Sequence, residues 1–198
     1  RERLLALVEG IPQIKPVCRK TGPHRQVYRD LLLEARDPNA DVVAEFRLDD
    51  DDAVALNYVQ SLRRTLPSLR PLFSKSDRLA FDQGKGVVVQ ADETGVSYFP
   101  LIAHCWSAAL TVFFRPDDPR CVMDFPHQRV WQRMPTFSAS DQLMYLRGSH
   151  ATNDSRIVTG GTAPVDIASQ ELRGRISKRF AVDTRKFETG WAHLIHSH

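Results

Sequence analysis

At 198 residues, with 42% hydrophobic and 9% aromatic side chains, the chain has enough apolar material for a packed core and is not a disordered segment. With a formal net charge of +3 and no basic stripe interleaved with aromatics, no nucleic-acid partner is expected. The densest basic stretch, ELRGRISKRF over Glu171 to Phe180, reads as a solvated helix face.

LLALV near the start predicts a short helix, and IPQIKPVC, interrupted by Pro12 and Pro16, an edge or broken strand. Val27, Leu31, Leu32 and Ala35 keep helical spacing, and Asp37 with Pro38 and Asn39 ends that helix. Val42 to Leu48 is β-branched and apolar enough for a central strand. Four consecutive carboxylates follow in RLDDDDA, Arg47 to Ala53. A second helix is then predicted, with Asp52 as its N-cap and Ala53, Leu56, Val59 and Leu62 along one face. VVVQADETGVSYF reads as a hairpin turning at Asp92 to Gly95. LIAHCWSAALTVFF, Leu101 to Phe114, contains a strand at Leu110 to Phe114 and is too short for the roughly 18 apolar residues of a membrane span. A short helix near His127 to Gln132, a strand in QLMYLRGSH running into a polar loop, and a helix over Asp166 to Phe180 complete the reading. Strands alternating with helices ahead of a β-rich second half predict a layered α/β fold, a central mixed sheet flanked by helices in one domain over residues 1–198. Cys18, Cys105 and Cys121 are odd in number and lack zinc-type spacing, so a reducing, cytoplasmic setting is expected.

Neighbouring like charges repel, so RLDDDDA asks for a cation, amide N–H groups or open water. On extended backbone Asp49 and Asp51 face one way and Asp50 and Asp52 the other, so two carboxylates converge. Ligands bind at the carboxyl ends of strands in open α/β sheets. Mn²⁺ or Mg²⁺ suits carboxylate oxygens and keeps positions for phosphate. The alternative is that Asp52 caps the helix while the other three carboxylates are solvated at its positive end. The Gly and terminal Glu of an EF-hand loop are missing, no GxxxxGK[ST] occurs, and GGTAP at Gly160 to Pro164 is too short to replace it.

An apolar strand ending in a DxD-type cluster between two helices resembles the donor-binding half of GT-A-fold glycosyltransferases. FRLDDDDA together with MYLRGSHATNDS is similar, more narrowly, to a bacterial family of rhamnosyltransferases. The resemblance covers roughly residues 20 to 156. It implies a nucleotide-sugar donor, a glycan or other hydroxyl acceptor, and a divalent ion bridging the donor's diphosphate. Asp49 and Asp51 match the metal-holding turn, with Arg47 and Asp50 beside the donor, and His150 matches a late histidine that completes the metal shell. GT-A domains open on a strand for the nucleotide base, and the resemblance implies that this strand lies upstream of Arg1.

His24 and Arg25 open the first long helix, where an N-terminus favours phosphate, or are simply an exposed helix start. Asp124 and His127, in MDFPHQRVWQRMP, stand by order where GT-A enzymes place a catalytic base. Trp106 is a core residue or a stacking platform for a sugar, and Asn153, Asp154 and Ser155 read as a turn. Two other functions use the same acidic turn: a metal-dependent nucleotidyltransferase or phosphohydrolase, and a non-catalytic, cation-dependent glycan-binding module.

Overall fold

VVVQAD and GVSYF alternate around a two-residue turn at Glu93 and Thr94 and pair in register from Asp92–Gly95 to Lys85–Ile102. In the computed structural model, which describes residues 2–150 and 162–196, this hairpin is part of the larger of two mixed sheets. The strands are β1 (Val43–Phe46), β2 (Ala53–Val54), β3 (Arg78–Gln83), β4 (Lys85–Asp92), β5 (Gly95–Ile102), β6 (Leu110–Phe114), β7 (Thr136–Ala139), β8 (Tyr145–Ser149) and β9 (Ala163–Pro164). The helices are α1 (Glu2–Val8), α2 (His24–Glu34), α3 (Tyr58–Ser76), α4 (Ser169–Phe180) and α5 (Thr184–His196). One sheet has the order β1-β6-β3-β7 and the other β2-β8-β4-β5-β9, with β3–β7 and β4–β8 parallel and the remaining pairs antiparallel. The architecture is thus α/β, as expected, but the single central sheet becomes two.

The sheets meet at Gly84, the one residue between β3 and β4. Its N–H donates to the Ala139 carbonyl in one sheet, while its carbonyl accepts the Ala103 N–H beside the other. A Cβ here would stand 3.0 Å from the Ala103 carbonyl oxygen, so glycine lets one chain serve both layers.

Three sequence expectations change. IPQIKPVC forms no strand: Pro12 and Pro16 lack donors, and the segment lies exposed. The strand expected over Val42 to Leu48 is short, Val43–Phe46, and sits at a sheet edge, paired only with β6. Its Glu45 is buried because Arg36 donates to it at 2.8 Å. The helix expected from Asp52 starts at Tyr58, after Asn57, because Ala53 and Val54 pair with β8 first. It then buries Tyr58, Leu62, Leu69 and Phe73 at helical spacing, and the Tyr58 hydroxyl meets Thr111 Oγ1 at 2.7 Å. No helix among the described residues is long and apolar enough to cross a membrane.

Candidate functional site

The acidic stretch is a turn, not extended backbone. The Asp52 N–H donates to the Asp49 carbonyl at 3.1 Å, and this bend undoes the alternation that would have put Asp49 and Asp51 on one face. Asp50, Asp51 and Asp52 instead line one cavity. β8 runs directly against the turn. Asp52 Oδ1 accepts the Gly148 N–H at 3.2 Å, so this carboxylate binds a neighbouring strand and does not cap α3. A Cβ on Gly148 would come within 2.7 Å of Asp51, and glycine is what allows the approach. Two residues further on, His150 Nε2 stands 3.4 Å from Asp51 Oδ2. Residues 51 and 150, far apart in sequence, therefore share a site.

The charges remain crowded. Burial raises the Asp52 carboxyl to about 7, with the negative charges of Asp51 and Asp49 adding to the effect and the Gly148 N–H and Arg147 opposing it.

A positive flank lies beside Asp49. Burial lowers the pKa of the Arg47 guanidinium, Asp49 works against that shift, and the nearby Arg25 charge adds to it. His127 is also pushed down, first by burial and then by Arg47 and Arg147, while the Cys105 carbonyl and Asp49 hold it up. Its Nδ1–H donates to the Cys105 carbonyl at 2.6 Å, which assigns the proton to Nδ1 and leaves Nε2 an acceptor. Cys105 has φ 57; among the described residues the other non-glycine positive φ angles, at Asp77 and Ala181, belong to helix ends. The loop that carries Cys105 is braced by the buried Asp82, which accepts from Ser138 Oγ at 3.0 Å and from His104 Nδ1 at 3.2 Å. Arg147 lies over the Trp106 ring at 4.7 Å, so the half-buried indole packs against a site cation.

A cavity of about 370 Å³ opens from the turn, and Ser149 and His150 join the three carboxylates in lining it. Its far wall is apolar, with Val89 from β4, Tyr98 from β5, Ile176 from α4, and Phe187 and Trp191 from α5.

Of the residues singled out in the sequence, Asp51 and His150 come together, Asp50 lines the same cavity, and Asp49, Arg47, Arg25 and His127 are linked electrostatically on the adjacent flank. His24 is exposed and packs against Tyr28, the rings tilted by 49° with centres 4.6 Å apart. Asp124 is engaged elsewhere: one oxygen accepts the Cys121 N–H at 2.9 Å and the other faces Arg29 at 3.3 Å. Asn153, Asp154 and Ser155 lie outside the described residues. Sequence reasoning passed over Arg147 and the α5 aromatics. A signal for α5 existed, since Asp183 accepts the Lys186 N–H at 3.0 Å as a cap and Phe187, Trp191 and Leu194 follow at helical spacing.

As a metal site the donors fit in part. Adjacent ligands of a small octahedral ion stand about 3 Å apart, close to the Asp51–His150 separation, and oxygen with imidazole nitrogen suits Mn²⁺. No group of three or more such side chains converges among the described residues, so Asp49 is not assembled with that pair.

The described site is thus a carboxylate–imidazole pair with guanidinium groups on its flank, carried on a two-sheet α/β scaffold. The chain belongs to the family described as "Putative rhamnosyl transferase", whose model matches residues 1–162. No curated protein and no solved structure matches the chain.

Proposed function

We propose that this protein is a metal-dependent glycosyltransferase of GT-A-like fold, moving a hexosyl or deoxyhexosyl group, rhamnosyl first among those to test, from a nucleotide-sugar to a hydroxyl acceptor. The observation that carries the reading is the meeting of Asp51 and His150 at 3.4 Å beside the Arg47 and Arg147 flank, in a chain of the rhamnosyl transferase family.

Asp51 and His150 would hold Mn²⁺ or Mg²⁺, with Asp49 and Asp50 supplying negative potential around them. When bound, the ion offsets negative charge on a departing diphosphate. Arg47 and Arg147 supply planar donors matched to phosphate oxygens. His127 is the proton acceptor this arrangement favours over Asp124, because its lowered pKa keeps the ring neutral near pH 7 with a lone pair on Nε2. In the transfer, the acceptor oxygen bonds to the anomeric carbon and its proton passes to that nitrogen. The bond from the anomeric carbon to the diphosphate oxygen breaks, and its electron pair leaves with the nucleoside diphosphate.

Thermal shift tests this. Nucleoside diphosphates should raise the melting temperature with Mn²⁺ present and fail to do so without it, since only a ligand of the native state stabilises it. Asp51→Asn should fold but lose the Mn²⁺-dependent shift. A nucleotide shift of equal size in metal-free protein, or in Asp51→Asn, would overturn the reading.

A further inference from the structure

Two environments of opposite character adjoin the acidic turn. On one side Arg47 and Arg147 offer positive charge and N–H donors. On the other, the cavity of about 370 Å³ has no Lys or Arg among its described lining residues. We infer that this cavity is the acceptor site and that it takes an alcohol with an apolar body, its hydroxyl at the Asp50–Asp52 end and its body against the α4–α5 wall. The inference rests on the glycosyltransferase reading for its role, and on the cavity alone for its chemistry.

Volume admits a small organic molecule, since ligand cavities typically begin at about 300 Å³. Charge disfavours an anionic acceptor, because the cavity's polar end is lined by carboxylates. Those carboxylates accept hydrogen bonds and so favour a hydroxyl donor there. A glycan fits the far wall poorly. Val89, Leu146, Ile176 and Phe187 cannot satisfy sugar hydroxyls, and the Trp191 indole N–H already donates to the Asp92 carbonyl at 2.8 Å. Much of this wall comes from α4 and α5, which lie beyond the residues matched by the family model, so the acceptor preference is set by a part of the chain the family pattern does not define.

Calorimetry on the full chain with phenol, 4-ethylphenol and 4-butylphenol tests the assignment, with nucleoside diphosphate plus Mn²⁺ titrated in parallel. Affinity should rise about threefold to fourfold per methylene as apolar atoms leave water. Phe187→Glu should flatten that dependence, and Phe187→Ala should weaken 4-butylphenol severalfold; Phe187 is 41% exposed, so neither change empties a core position. Nucleoside diphosphate should bind both variants as it binds the parent and should not displace 4-butylphenol. Affinity independent of alkyl length, undiminished binding in both folded variants, or displacement by nucleoside diphosphate would overturn the inference. Loss of the nucleoside-diphosphate arm alone would instead overturn the donor reading on which the acceptor role rests.

Discussion

Asp52 bears the cost of packing four carboxylates into one turn. Its carboxyl is pushed up to about 7 by burial and by the charges of Asp51 and Asp49, whereas an unfolded aspartate titrates near 4. A raised folded pKa means that between about pH 4 and about pH 7 the native state holds a proton the unfolded chain has lost, so stability falls as pH rises through that window. Asp52→Asn should remove this slope and raise stability above pH 7. Discounted for solvent screening, the gain is on the order of 1 kcal/mol, or about 2–4 °C for a chain of this size. Melting curves at pH 4.5 and 8 check it, and an unchanged difference between the two would refute the assignment. His150→Ala should fold normally and weaken Mn²⁺ binding by about tenfold or more, read by calorimetry. The pairing of residues 51 and 150 was legible through the family resemblance. The grouping of Asp49 with Asp51 was not, because the alternation argument assumes extended backbone and the chain bends at Asp50 and Asp51.

β8 meets the acidic turn only because Gly148 has no side chain, and Gly86 plays the same part on β4, where a Cβ would lie 2.4 Å from the Tyr145 ring. The two glycines separate fold from site. Gly148→Ala should cost about 1–3 kcal/mol and also abolish the Mn²⁺-dependent nucleotide shift, because Asp51 itself must move. Gly86→Ala should cost at least as much while the shift persists in the folded fraction. Denaturant melts with parallel thermal shifts distinguish them, and an intact shift in Gly148→Ala would contradict the geometry. The hairpin β4–β5 was readable because its alternation and its turn agree. The start of α3 was not, since Ala53 and Leu56 keep helical spacing yet Ala53 pairs with Leu146 on β8, a contact no local pattern announces.

Across the fold, Arg36 links α2, β1 and the loop after β6. Its guanidinium donates to Glu45 at 2.8 Å and to the carbonyls of Asp118 and Arg120 at 2.5 and 2.6 Å, and both charged side chains are 4% exposed. Arg36→Met leaves Glu45 buried without its partner, so the loss should be about 3–5 kcal/mol, seen as a large fall in melting temperature with nucleotide affinity retained below it. Stability lowered by under about 1 kcal/mol would show that water reaches Glu45. The second sheet escaped the sequence reading for a related reason. β3 places Asp82 and Gln83 in buried positions that look polar and loop-like in sequence, and their partners come from elsewhere: Ser138, His104 and the Cys105 backbone for Asp82, and Ser61 for the Gln83 side-chain oxygen.

The central claim, glycosyl transfer at the Asp51–His150 site, is tested most directly by the leaving group. The protein is incubated with Mn²⁺, a panel of nucleotide-sugars and an alkylphenol acceptor, and the nucleotide products are separated by chromatography. The account predicts release of nucleoside diphosphate in step with a glycosylated phenol, dependent on Mn²⁺ and lost in Asp51→Asn. Release of pyrophosphate or nucleoside monophosphate, or turnover undiminished in Asp51→Asn, would contradict it.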